Sequence, residues 1–119
     1  MKLIYSSMFA IIYAVGFLAM STSSSAQEWT FDQGENVGCL TVKGIVHDQE
    51  PILFVYHDPE DHSWQFLSGG APSEDEAMLV SMGTIVNIDP SVLEVGHISP
   101  GQSAHRKSVE SPWELTGTN

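Results

Sequence analysis

One apolar run near the N terminus divides this chain into two parts and limits the length of the domain that can fold after it. Lys2 is followed by apolar residues 8–20 and then by small residues 21–26, which is the order found in a secretory signal peptide. We therefore expect residues 1–26 to be a signal peptide, cleaved before Gln27, and the protein to be exported to the periplasm or the extracellular space. A spanning helix needs about 20 mostly apolar residues, so a retained membrane anchor is the alternative.

The remaining residues are enough for one domain. We expect a flexible N-terminal segment at 27–36, a single domain at 37–113 and a C-terminal tail at 114–119. Cys39 is the only cysteine of the chain, so no disulfide can form within it. Because Cys39 lies in an apolar, strand-like pattern, we expect its side chain to be buried. The role of Arg106 is left open.

The charge balance narrows the classes of partner. The chain has 15 acidic and 4 basic residues and a formal net charge of −11, and signal cleavage would remove Lys2. Nucleic acids and anionic membranes are bound mainly through lysine and arginine, so we expect neither as a partner of the mature protein. The charge favours a basic protein partner, or serves only to keep a small domain soluble. The oligomeric state is left open.

Strand-like patterns dominate the first half of the domain. Residues 37–47, 52–57 and 64–68 are rich in β-branched and aromatic side chains and are separated by turn-forming residues. They predict an antiparallel meander in which His47 faces Ile52 and His57 faces Trp64. A fourth short strand is expected within residues 103–109.

Helix signals follow in the second half. Ser73 and Glu76 have the spacing of a capping box, and an apolar stripe after them predicts a helix; its members are Met78, Met82 and Ile85. Asp89 and Pro90 predict a second helix start, with Gly96 as its end. The predicted fold is therefore α+β, an antiparallel three- to four-stranded meander with one or two short helices packed on one face.

Two histidines near one turn are the candidate metal ligands. His57 and His62 flank the same turn, with Asp58 and Asp61 as possible further ligands, and imidazole with carboxylate suits zinc and related ions. Asp before Pro and histidine at a strand end are equally typical of an ordinary solvated turn. We therefore predict no metal and no other cofactor, and keep these four residues as the alternative.

The sequence carries no recognisable catalytic motif. No serine lies in a G-x-S-x-G elbow, and a chain this short has little room for a deep cleft. We predict that the protein is not an enzyme and name no catalytic residues.

Acidic residues around an aromatic side chain are the candidate partner-binding surface. Negative charge of this kind can steer a basic protein into contact. The alternative is a solvated turn followed by an ordinary acidic helix start. The candidate residues are Asp58, Glu60, Asp61, Trp64, Glu74, Asp75 and Glu76.

The run from Trp64 to Gly69, W-Q-F-L-S-G, resembles a known family. Together with the preceding His57-Asp58-Pro59 and the later Asp89-Pro90-Ser91, Ala104-His105-Arg106 and Pro112-Trp113, it is similar to small bacterial domains of unknown function grouped with immunity proteins of polymorphic toxin systems. The resemblance covers most of residues 37–113. It implies a non-enzymatic α+β domain that binds and neutralises a toxin.

Two functional hypotheses follow from the sequence. The first is an exported, non-enzymatic protein-binding module, with an immunity-like protein as one form of it. The alternative is a periplasmic or secreted protein that binds a metal or a small ligand through His57 and His62.

Overall fold

The computed structural model describes residues 28–70 and 72–117. The expected signal peptide at 1–26 lies outside the described residues. Within the described ranges, none of the helices combines the length and the apolar character that crossing a membrane would require.

Short strands and short helices make up an α+β fold. In chain order the elements are β1 Gly38–Val42, α1 Lys43–His47, β2 Phe54–His57, β3 Trp64–Leu67, a first 3-10 helix Glu74–Glu76, β4 Ala77–Ser81, α2 Met82–Ile88, a second 3-10 helix Pro90–Val95, β5 Ser103–His105 and β6 Glu114–Thr116.

The strands form one mixed sheet in the order β4-β1-β3-β2-β5-β6. The prediction of a purely antiparallel meander of three or four strands is therefore wrong. β1 lies parallel to β3 and antiparallel to β4, and it does not pair with β2. The segment between β1 and β2 leaves one strand position open between these two strands, and β3 occupies that position. Parallel strands need such a longer connection, whereas a hairpin can only join antiparallel neighbours.

The β2–β3 hairpin has the predicted register. His57 is paired with Trp64 across the turn, and Val55 with Phe66. The expected pairing of His47 with Ile52 is absent, because residues 43–47 form α1 instead of continuing the first strand. The Gly44 carbonyl accepts hydrogen bonds from the amides of Asp48 and Glu50 and so closes this helical turn.

The region after Ser73 also differs from the prediction. The capping box between Ser73 and Glu76 is present, but it opens a single turn of 3-10 helix. The chain then becomes strand β4, and α2 begins only at Met82. The apolar stripe that predicted one helix therefore spans a strand and a helix, because pairing with the distant β1 outweighs the local pattern.

The second predicted helix start is confirmed. Asp89 caps the second 3-10 helix, its side chain accepts from the Ser91 amide at 3.0 Å, and Pro90 occupies the first turn. Gly96 follows as the C-cap. The strand expected within 103–109 is β5, and the outermost strand β6 falls in the expected tail at 114–119.

The core lies on one face of the sheet. Strand side chains on this face pack with residues from α2 and the second 3-10 helix, and Cys39 is buried among them as predicted. The buried strand residues on this face are Cys39, Thr41, Val55, His57, Trp64, Phe66 and Ala104. The opposite face carries half-buried side chains such as Leu40, Phe54 and Tyr56, together with the buried Val42 and Leu67.

The segment before β1 packs on the domain. The sequence predicts a flexible segment at 27–36, whereas the structure places Phe31 in the core, edge-on to Trp64 and Phe66. Thr30 donates to the Leu93 carbonyl at 2.6 Å. Residues 28–36 thus fasten to both the sheet and the second 3-10 helix.

Candidate functional site

The acidic candidates occupy two separate places. Asp58, Glu60 and Asp61 lie in the turn that enters β3, and Glu74–Glu76 lies after the end of β3, where β4 begins. The two acidic segments are therefore at opposite ends of the sheet. Topology does not bring them together as one continuous patch.

The β2–β3 turn is held by its own carboxylates. The Glu60 amide donates to Asp58 Oδ1 at 2.7 Å, and the Ser63 amide donates to Asp61 Oδ1 at 3.0 Å. Hydrogen bonds from Ser63 lower the pKa of Asp61 below its ordinary value. Glu60 and Asp61 are exposed in this turn, and Asp58 is half-buried.

The Glu74–Glu76 segment is equally exposed. The Ser73 amide donates to Glu76 Oε1 at 3.2 Å, which fixes the turn. A hydrogen bond from Ser73 lowers the pKa of Asp75. Three carboxyl groups thus precede the first residue of β4 and face solvent.

Strand β4 is an edge strand with an exposed apolar side chain. Leu79 is 76% exposed, the most exposed of the large hydrophobic residues that the structure describes. The strand sequence, A-M-L-V-S, contains no charge and no proline. Natural sheets usually protect an edge with lysine, proline or a bulge, and β4 has no protecting side chain of this kind.

Among residues 28–70 and 72–117, β4 has no strand on its outer side, so part of its backbone is unpaired there. The Met82 amide donates to the Val37 carbonyl at 2.8 Å, in register with the β1–β4 pairs. Because bonded and non-bonded pairs alternate in an antiparallel ladder, Val80 is bonded to β1 and Leu79 is not. The N–H and C=O of Leu79 therefore point away from the sheet.

Trp64 is not available to a partner. Its side chain is 1% exposed, stacked on His57 at 3.9 Å and contacted edge-on by Phe31 at 4.7 Å. The expectation that Trp64 belongs to the binding surface is wrong, because its face of the sheet is the covered one. Trp64 instead packs in the core and donates from Nε1 to Asp32 Oδ1 at 2.9 Å.

His57 is also buried, at 2% exposure. Its Nδ1 lies 2.9 Å from the Ile98 carbonyl, and since a carbonyl only accepts, Nδ1 carries a proton and donates it. Asp32 Oδ2 lies 3.2 Å from Nε2 but outside the direction of a well-aligned hydrogen bond. His57 thus ties β2 to the Ile98 carbonyl, and the Asp32 carboxylate lies beside its Nε2.

The structure does not bring the four alternative metal ligands together as a cluster of three or more within the described residues. Across residues 28–70 and 72–117, no group of three or more His, Cys, Asp or Glu side chains is arranged to hold a metal ion. The rings of His57 and His62 lie 6.0 Å apart, edge to face. Asp58 and Asp61 are instead engaged by amides of their own turn.

Positive charge is scarce on the described surface. Arg106 is buried and pairs with Asp89, so its charge does not reach a partner. Within the described ranges the exposed lysine and arginine side chains are those of Lys43 and Lys107. The described surface is therefore mainly negatively charged.

Sequence reasoning missed two features of this region. The edge position of β4 depends on pairing with a strand almost forty residues earlier, and no local pattern reports that. The role of Asp32 was also missed, although the neighbouring Trp29 and Phe31 are apolar residues that could have indicated a packed segment.

No family model matches the chain, and no curated protein or solved structure shows significant similarity to it.

Proposed function

We propose that this chain is an exported, non-enzymatic module that binds a basic protein. The proposal is carried by the mainly negative charge of the surface. Exposed carboxylates lie at both ends of β3, and few cations are exposed among the described residues. Complementary charge speeds encounter and selects against wrong partners more than it adds affinity. The predicted signal peptide supports a partner outside the cytoplasm.

An immunity-like role is one form of this proposal. The partner would then be a toxin that acts on the cell wall or the membrane, since the binding module would meet it outside the cytoplasm. The support for this form is the resemblance at Trp64 to Gly69, together with the acidic surface.

The test is affinity capture with protein made in an exporting host, so that the chain carries its natural N terminus. The bait is mixed with envelope and secreted fractions of its source cells, and bound proteins are identified by mass spectrometry. We expect a basic partner that is released as salt rises. Folded bait that captures only acidic proteins, or a partner indifferent to salt, would contradict the proposal.

Charge-reversal variants sharpen this test. Glu74→Lys and Asp61→Lys each change the net charge by two units at one of the two acidic segments, and Glu110→Lys makes the same change at an exposed site on neither. Loss of binding in one of the first two variants, but not in the third, assigns the partner to that segment. An equal loss in all three indicates a general effect of net charge.

The alternative of a metal- or small-ligand-binding protein is less well supported. His57 is buried with Nδ1 committed to a carbonyl. A surface cleft of about 430 Å³ lies elsewhere, beside Ile45, Ile52, Ile88 and Val109. Thermal stabilisation by zinc that disappears in His62→Ala would favour the histidine alternative over protein binding.

A further inference from the structure

We propose that the open edge of β4 is the docking surface, and that it takes an extended, cationic segment of the partner as an added strand. This inference rests on the proposed function and specifies which of the two acidic segments is used. Strand addition of this kind draws affinity from main-chain hydrogen bonds and specificity from alternate side chains.

The first support is the combination of backbone and side chain at Leu79. Its N–H and C=O point outward, and its side chain is 76% exposed on the sheet face that the helices leave open. Leu79 lies opposite Leu40, which is half-buried on the same face. An added strand would therefore gain hydrogen bonds along the edge and an apolar contact beside Leu79.

The second support is charge. Glu74–Glu76 directly precedes β4 and is exposed, so a strand lying along β4 would reach these carboxylates with its own side chains. Lysine or arginine at that end of the partner would be attracted, whereas a second copy of this chain would bring its own acidic segment and the same net negative charge. Charge therefore favours a cationic partner over self-pairing.

The opposite edge of the sheet is a natural comparison. β6 has three residues against five in β4, and it contains Glu114 within the strand. Leu115 is 47% exposed, less than Leu79. A charge inside an edge strand is one of the features that discourage strand addition, so β6 serves as the control edge.

The probe is a short, labelled peptide of alternating lysine and valine, and its affinity for the protein from an exporting host is measured by fluorescence anisotropy. Two further peptides are compared: one with glutamate in place of lysine, and one N-methylated at every residue, which keeps the charge but has no backbone donors. We expect the lysine–valine peptide to bind at least about tenfold more tightly than either of the others.

Variants locate the site. Leu79→Pro removes the outward N–H, and proline is tolerated at an edge whose N–H faces solvent. Leu79→Ala keeps the backbone and removes the side chain. We expect about a tenfold loss of affinity in Leu79→Pro and a smaller loss in Leu79→Ala, with Leu115→Ala unchanged. Circular dichroism verifies that each variant is folded, and Leu79→Ala stands as the test if the proline variant is not.

The outcomes separate the two proposals. Equal binding of the lysine–valine peptide and its N-methylated form would overturn strand addition and leave an acidic protein-binding surface intact. Binding of no cationic peptide at low salt would overturn both. A wild-type dimer that becomes monomeric in Leu79→Pro or Leu79→Ala, seen by sedimentation, would assign the edge to a second copy and overturn the cationic partner.

Discussion

Arg106 Nη2 lies 2.6 Å from Asp89 Oδ2, and this pair ties the segment after β5 to the cap of the second 3-10 helix. The same guanidinium donates from Nε to the Ile52 carbonyl at 3.0 Å and from Nη1 to Ser91 Oγ at 3.0 Å. Trp113 covers it, with the ring centroid 4.1 Å from Cζ. The guanidinium of Arg106 is thus buried and bonded within the protein, so it contributes no positive charge to the protein surface.

Removing this guanidinium should destabilise the domain strongly. Arg106→Ala removes the donor to Asp89 Oδ2 and to the Ile52 carbonyl, while Ser91 still donates to Asp89 Oδ1. Breaking a buried ion pair from one side costs about 3–5 kcal/mol. The free energy of unfolding in urea measures the effect. Lys107→Ala changes an exposed neighbour and should stay within about 0.5 kcal/mol of wild type. Similar values for the two variants would show that the Arg106 contacts are weak.

The same pair predicts a dependence on pH. Burial raises the pKa of Asp89, but hydrogen bonds from Ser91 and Arg106 outweigh it, and the net pKa lies below the ordinary value. A lowered pKa in the folded state means that the stabilisation is complete above the ordinary aspartate range, about pH 4, and is lost as pH falls through the folded pKa.

The measurement is the difference in unfolding free energy between wild type and Asp89→Asn across a pH series. We expect wild type to be the more stable at neutral pH and the difference to shrink in strong acid. A difference that stays constant down to strong acid would show that the charge of Asp89 does not contribute.

Asp32 should hold the N-terminal segment in place. Asp32→Ala removes the acceptor of the Trp64 indole and the carboxylate beside His57. Leaving a largely buried donor without a partner costs about 1–3 kcal/mol. Hydrogen exchange of residues 28–36 should become faster, while Asp48→Ala, at an exposed position, should leave it unchanged. Unaltered exchange in both variants would mean that other contacts, such as those of Phe31 and Thr30, hold the segment without Asp32.

Cys39 should be unreactive in the folded protein. Burial raises the pKa of its thiol to about 12, so almost no thiolate exists at neutral pH. A thiol reagent should modify Cys39 only at the rate of unfolding, and modification should become fast in denaturant. Rapid labelling of the native protein would place Cys39 at an accessible site.

The sequence predicts those parts of this fold that depend on neighbours along the chain. The pairing of His57 with Trp64 follows from turn chemistry and alternating apolar residues, and both are local. The cap at Asp89 follows from the next two residues. In each case the deciding contacts lie within a few positions of one another.

The errors have the opposite origin. Residues 43–47 have a strand-like composition, yet they form α1, with Ile45 buried in the core. Residues 77–81 overlap the apolar stripe that predicted a helix, yet they form β4 and pair with β1. Tertiary pairing decides both, because β propensity and helix propensity are weak relative to burial.

The candidate site, like the fold, was predictable from the sequence only where it depends on local contacts. The acidic residues of the two exposed segments are visible in the sequence, and their exposure follows from their turn and cap chemistry. That Trp64 turns inward, and that Leu79 lies on an open edge, both depend on which face and which edge the complete sheet leaves uncovered.

Hydrogen exchange on β4 tests the central claim, strand addition at the Leu79 edge, most directly. The amide of Val80 is bonded to β1 and should exchange slowly with or without the lysine–valine peptide, whereas the outward amide of Leu79 should exchange quickly in the free protein and slowly in the complex. The amide of Leu115 should not change. Slowing at Asp58, Glu60 and Asp61 with none at Leu79 would contradict the account and move the partner to the other end of the sheet.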